Sequence, residues 1–163
     1  MDTNAVVIAE PNRIELWELD LEAAREDDIV VETAWSGISS GTEKLLFDGS
    51  MPTFPGMGYP LVPGYEAVGF VAETDSKESF DVGDLVFVPG AQCYKGARGL
   101  FGANASTLVT KAERVIALPN TLQDQATLIS LAATAHHALR LHASRPPDLI
   151  IGHCSLGRLL ARL

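Results

Sequence analysis

The chain has 163 residues, 47% of them hydrophobic, which suits one domain with a buried core and excludes a disordered segment. Twelve Lys and Arg stand against 21 Asp and Glu, a net charge of −9 that repels phosphate backbones and anionic membranes and argues against nucleic acid as a partner. Cys93 and Cys154 lie far apart with no C-x-x-C pair, which argues against a disulfide framework or cysteine-rich zinc lobe and suits a reducing cytoplasm. The Met1-Asp-Thr-Asn4 start lacks basic residues, and Ala5-Val-Val-Ile8 is too short for a leader or membrane span.

Residues 4–118 read as short strands broken by Gly, Pro and Asp. Strands are predicted at 4–9 and 13–19, with a turn at Glu10-Pro11-Asn12, and at 28–35, ending at Ser36-Gly37. Ser40-Gly-Thr-Glu43 leads into a short helix at Lys44-Leu-Leu-Phe47, closed by Asp48-Gly49. Residues 50–64 hold four prolines and three glycines among Met51, Phe54, Met57 and Tyr59, the composition of an ordered apolar loop. Further strands follow at 65–72, 84–88, 105–109 and 114–118, at the spacing of a compact barrel.

The long helix is predicted from Leu122 to about His142, entered through Thr121 with Asp124 as a capping box and stopped by Ser144-Arg-Pro-Pro147. Residues 148–163, with Leu149-Ile-Ile-Gly152 and Ser155-Leu-Gly157, read as the first strand, glycine turn and first helix of a dinucleotide-binding unit. One parallel strand and one helix cannot bury both their apolar faces, so this segment is expected to be the truncated opening of a second domain. In Gly152-x-Cys154-x-x-Gly157 a cysteine stands where a middle glycine would let backbone approach pyrophosphate, and no acid follows about 20 positions on to hold a ribose. The chain by itself is therefore not expected to bind a nicotinamide cofactor with useful affinity. Leu149, Ile150, Ile151, Leu156, Leu159 and Leu160 would lack cover and form a patch prone to association.

Pro63-Gly-Tyr-Glu-Ala-Val-Gly69 followed by Phe80-Asp-Val-Gly-Asp-Leu-Val86 resembles the paired signature of the medium-chain dehydrogenase/reductase superfamily, whose N-terminal domain is a GroES-like barrel. The segments 35–43, 54–66, 87–94 and 132–138 resemble more closely its zinc-independent branch that oxidises the 3-(1-hydroxyethyl) group of bacteriochlorophyllide a to 3-acetyl in bacteriochlorophyll a biosynthesis. The resemblance implies a mainly β fold with helices: a substrate-side barrel over 1–121, a connecting helix over 122–147 and a truncated Rossmann start over 148–163. It implies NAD or NADP as cofactor, a small tetrapyrrole as substrate, a cytoplasmic oxidoreductase of photosynthesis, and homodimers among full-length relatives. A fragment could be inactive. A non-catalytic barrel module binding a hydrophobic ligand or partner, and a zinc-free quinone or enoyl reductase, remain alternatives.

Zinc-dependent members of the superfamily place Cys, His and Cys where this sequence has Ser39, Tyr65 and Ser130. Neutral hydroxyls are poor zinc ligands and Glu66 alone makes no site, so no metal is expected. The substrate's conjugated ring would ease hydride departure, leaving the protein to position the alcohol and accept its proton. The catalytic candidates are Ser39, Tyr65, Glu66 and His136. Tyr65 either contacts the hydroxyl with Ser39 or fills the space zinc left. His136 and His137 point about 100° apart on one helix, so one of them acts as base or both are ordinary helix residues. Thr134, Gly152 and Gly157 are the cofactor candidates. Met51, Phe54, Met57 and Tyr59 offer thioethers and rings to a flat macrocycle, or pack over the barrel mouth. Lys95 and Arg98 either meet the substrate's propionate or form a solvated turn. Glu43 caps the short helix or bonds substrate, and Cys93 reads as a buried small hydrophobe.

Overall fold

Burial alternates along Asp2–Glu10 (β1), so Thr3, Ala5 and Val7 turn inward while Asn4 and Val6 face out. β1 pairs antiparallel with Arg13–Asp20 (β2) through the turn at Pro11 and Asn12, the latter at φ 65°. Asp28–Ser36 (β3) lies at the heart of an antiparallel sheet with Ala67–Thr74 (β4), Leu85–Val88 (β5), Thr107–Lys111 (β6) and Ile116–Ala117 (β7), in the order β6-β3-β4-β5-β7. Bridges from Ala5 to Ala105, just before β6, and from Ile8 to Leu61, in the loop ahead of β4, tie β1 to the rest of the unit. The result is a partly closed barrel around Ala5, Val7, Ile29, Val31, Val62, Val71, Val86, Val88 and Leu108, all buried.

The computed structural model describes residues 1–75, 80–141 and 147–163. It falls into two units, Met1–Thr127 and Leu128–Leu163. The expected mainly β fold holds in the first, with Thr42–Asp48 (α1) ending at Gly49 in the left-handed conformation.

Three strands start two residues later than expected, and β5 one residue later, at Leu85. β4 begins at Ala67, not 65, because Gly64 (φ 96°) turns the chain and Ala67 is the first residue to pair, with Ser36. β6 begins at Thr107, not 105, because Ala103, Asn104 and Ser106 spend their N–H groups on Gly64, Pro63 and Asn4. β7 is reduced to two residues, since Ala112–Arg114 forms a 3-10 turn that takes up the expected strand start.

The long helix is also divided. Gln123–Leu128 is a 3-10 segment and the α-helix proper is Ile129–Leu141 (α2). Gln123 sits at φ 44°, and the Thr127 hydroxyl donates back to the Asp124 carbonyl at 2.7 Å, so the entry tightens into i→i+3 turns in place of the capping box expected from Thr121 and Asp124. The expected end near His142 and the stop at Ser144-Arg-Pro-Pro147 fall on residues 142–146, outside the described residues.

In the second unit α2 packs with Ser155–Leu160 (α3). Residues 149–151 adopt no strand, against expectation, because a strand is defined by pairing and no described residue pairs with them. Leu149 and Ile151 are 75% and 90% exposed, while Ile150, Leu156, Leu159 and Leu160 are half-buried. Among the described residues no helix is long and apolar enough to cross a membrane.

Candidate active site

The end of β3 and the start of β4 converge on one carboxylate. Gly37 N–H donates to the Glu66 carbonyl at 2.9 Å, and a Cβ on Gly37 would lie 2.1 Å from Glu66 Oε2. Glycine is therefore a steric requirement at 37. Glu66 is 5% exposed, and its Oε1 is fully buried with no hydrogen-bond partner among the described residues. Burial pushes its carboxyl above the usual range, and the neighbouring charge of Glu43 pushes it further.

Glu43 is half-buried and belongs to the entry of α1. Ser39 N–H donates to Glu43 Oε2 at 2.9 Å, while Thr42 N–H donates to Ser39 Oγ at 3.2 Å. This is a reciprocal cap one turn ahead of the helix, so one lone pair of Ser39 and one carboxylate oxygen of Glu43 serve the backbone. Burial also raises the Glu43 carboxyl, partly offset by the N–H groups it accepts.

Tyr65 is half-buried, its ring meeting Phe101 edge-on at 5.5 Å. Gly64, beside it, could carry no side chain: its Cβ would sit 2.5 Å from Oδ1 of Asn104, a buried amide whose Oδ1 also lacks a partner among the described residues. Glu66, Glu43, Ser39 and Tyr65 thus surround the junction of β3, α1 and β4. Sequence reasoning named these four but missed Gly37 and Asn104. Gly37 looked like an ordinary strand terminator, and Asn104 carries no periodic or motif signal.

The loop of residues 51–63 is anchored more firmly than its composition implies. Met51, Met57 and Tyr59 pack on a second apolar cluster of Ile8, Leu46, Leu61 and Leu100, and the Tyr59 hydroxyl donates to the Leu46 carbonyl. Phe54 stays 36% exposed. Cys93 is buried, and burial raises its thiol while its Sγ accepts from Val109 N–H at 3.4 Å.

In the second unit Thr134, His136 and His137 are exposed on α2, and the Thr134 hydroxyl donates to the Ser130 carbonyl at 2.9 Å. Gly152 turns at φ 109°, and a Cβ on Gly157 would come within 2.2 Å of the Gly152 carbonyl oxygen, so both outer glycines are required by the turn. The exposed Cys154 thiol is pulled down by the backbone N–H groups of Gly157 and Leu156.

Among the described residues no three His, Cys, Asp or Glu side chains converge on one point that could hold a metal ion. At the β3–β4 junction the anionic donors are the Glu66 and Glu43 carboxylates, with neutral hydroxyls at Ser39 and Tyr65. That set does not fit a catalytic zinc, which takes three protein ligands such as imidazole, thiolate and carboxylate.

Residues 25–120 match the alcohol dehydrogenase GroES-like domain, and the chain belongs to that family. Over its whole length it is 51% identical to a protein of Cereibacter sphaeroides and 50% identical to one of Rhodobacter capsulatus, each named 2-desacetyl-2-hydroxyethyl bacteriochlorophyllide A dehydrogenase. It covers 53% and 52% of those two proteins, so it spans about half the length of the curated relatives it matches. Among solved structures, a Helicobacter pylori CAD complexed with NADP(H) matches with a TM-score of 0.82 at 15% identity, over 99% of this chain and 55% of that one. An Escherichia coli alcohol dehydrogenase complexed with NADH matches with a TM-score of 0.79 at 20% identity, over 99% of this chain and 52% of that one. These structural matches establish the fold.

Proposed function

We propose that the whole protein is a zinc-free oxidoreductase that converts the 3-(1-hydroxyethyl) group of bacteriochlorophyllide a to 3-acetyl with a nicotinamide cofactor. The observation that carries this reading is the 51% identity across the entire chain to a relative named for that substrate. The donor set at the β3–β4 junction supports the absence of zinc from the mechanism.

A bound nicotinamide supplies the hydride acceptor. Gly152, at positive φ, and the sterically required Gly157 fit the turn that would hold it, and Thr134 is assigned to the same cofactor. The chain's own part is the proton. Glu66, buried and with Oε1 unpartnered, takes the alcohol proton as the carbon–hydrogen bond gives up hydride, so the alcohol loses one hydride and one proton and becomes the ketone. Burial and the Glu43 charge make Glu66 a stronger base than a solvated carboxylate. Ser39 and Tyr65 orient the hydroxyl, and Glu43 holds Ser39 in place. The loop carrying Met51, Phe54, Met57 and Tyr59 offers the apolar floor.

The test is turnover of the hydroxyethyl macrocycle by the whole protein, with acetyl product and reduced nicotinamide formed one for one. Glu66→Gln should lower kcat by about 10²–10⁴ while macrocycle binding persists. A wild-type protein that binds the macrocycle without oxidising it would support a non-catalytic barrel module in place of this reading.

A further inference from the structure

The sequence groups two cations, Lys95 and Arg98, in one short segment, and the fold ties their backbones to different elements. Lys95 donates its backbone N–H to the Asp20 carbonyl at the end of β2, next to the bridge between Leu21 and Tyr94. Arg98 instead belongs to the apolar loop. Its N–H donates to the Pro60 carbonyl at 2.9 Å, its carbonyl accepts from Val62 N–H at 2.8 Å, and it bridges Leu61, a buried member of the apolar cluster under the loop. The side chain is seated as well. A Cβ on Gly58 would meet Arg98 Nε at 2.8 Å and Cζ at 3.2 Å, so the exposed guanidinium lies directly over the loop backbone at a glycine, and a side chain there would push it aside.

Among the described residues this cation has no ionic partner. Arg13, Arg25, Lys44 and Lys111 each pair with an acid, whereas Arg98 forms no ion pair and no side-chain hydrogen bond among the described residues. In a chain of net charge −9, an unpaired arginine held against an apolar floor is a place for an anion attached to an apolar body. A guanidinium binds carboxylate through two parallel N–H···O bonds, and its weak hydration lets it work beside an apolar surface.

We infer that Arg98 binds the free propionate carboxylate of the tetrapyrrole, with Gly58 leaving the room that seats it and the neighbouring loop supporting the macrocycle. This rests on the substrate class proposed above, and it adds the group that distinguishes the free acid from its esters. Arg98 makes the same contact in ground and transition states, so it governs binding and leaves the chemical step alone. Lys95, whose backbone is tied to the end of β2 and not to the loop, takes no part.

The experiment pairs a protein variant with a ligand variant. The whole protein, wild type, Arg98→Gln and Lys95→Gln, is titrated with the hydroxyethyl macrocycle as free acid and as its propionate methyl ester, reading binding from the macrocycle's own absorption and turnover separately. In the wild type the ester should bind about tenfold more weakly than the acid, a 1.4 kcal/mol difference. Arg98→Gln should weaken the acid by the same factor, leave the ester unchanged and leave kcat unchanged, while Lys95→Gln matches wild type. Gly58→Ala, which displaces the guanidinium, should reproduce part of the Arg98→Gln effect on the acid alone. Equal affinity for acid and ester in the wild type would overturn the proposal, and so would an Arg98→Gln loss shared equally by both ligands, which marks a role in loop structure. The binding readout needs no turnover. Acid-over-ester preference abolished by Arg98→Gln in a protein that does not oxidise the macrocycle would uphold the site while refuting the proposed activity.

Discussion

Glu66, the proposed proton acceptor, is governed by its surroundings. A carboxyl whose folded-state pKa is raised is stabilised in its protonated form, so its favourable contribution is complete below the unfolded pKa and is lost as pH rises through the folded value. Wild-type protein should therefore lose stability between acid and neutral pH relative to Glu66→Gln. Thermal unfolding of the whole protein should show the variant more stable by about 1–2 kcal/mol at pH 8, with the difference closing near pH 4. A gap that is the same at both pH values would contradict the assignment of a buried, unpartnered charge. Gly37 gives a second residue-scale check. Glycine to alanine in ordinary backbone usually gains about 0.4–1 kcal/mol, but at Gly37 the new methyl would sit on Glu66 Oε2. Gly37→Ala should instead cost about 1–3 kcal/mol in urea unfolding, and a stabilised variant would mean that the carboxylate is not seated there.

At the scale of elements, α1 explains why Ser39 and Glu43 belong together. Their reciprocal bonds fix the chain between β3 and α1 and so fix the far wall of the Glu66 site. Ser39→Ala should cost about 0.5–2 kcal/mol of stability. With the fold intact at low temperature, it should lower kcat far less than Glu66→Gln does. A loss of activity equal to that of Glu66→Gln, without a stability loss, would make Ser39 the proton acceptor. The elements also show what could be read from sequence. Strands β1 to β3 and helix α1 were legible because alternation, turn residues and a glycine stop act locally. The late starts of β4 and β6 were not, because Tyr65, Glu66 and Ala103–Ser106 obey the strand pattern while their backbone groups are claimed by Gly37, Gly64, Pro63 and β1 across the barrel. The helix entry failed for the opposite reason, a local one. Thr127 and the positive φ at Gln123 favour a 3-10 turn where the spacing of Thr121 and Asp124 suggested a capping box.

For the whole molecule, the candidate site was legible as residue types but not as an arrangement. The sequence supplied Ser39, Tyr65 and Glu66 through resemblance. Only the fold reveals that Gly37 lies against the Glu66 carboxylate, that Glu43 charges the same junction, and that the backbones of Arg98 and Lys95 are tied to different elements. The segment 149–151 makes a related point, since its apolar residues suit a strand that nothing among the described residues pairs with. On the proposed reading, the barrel uses a carboxylate and a conjugated substrate in place of a catalytic zinc. The most direct measurement is oxidation of the hydroxyethyl macrocycle by the whole protein after exhaustive chelation, with metal content determined on the same sample. The account predicts full turnover by protein holding far less than one zinc per chain, together with loss of turnover in Glu66→Gln. Activity that disappears on chelation and returns with stoichiometric zinc would contradict it.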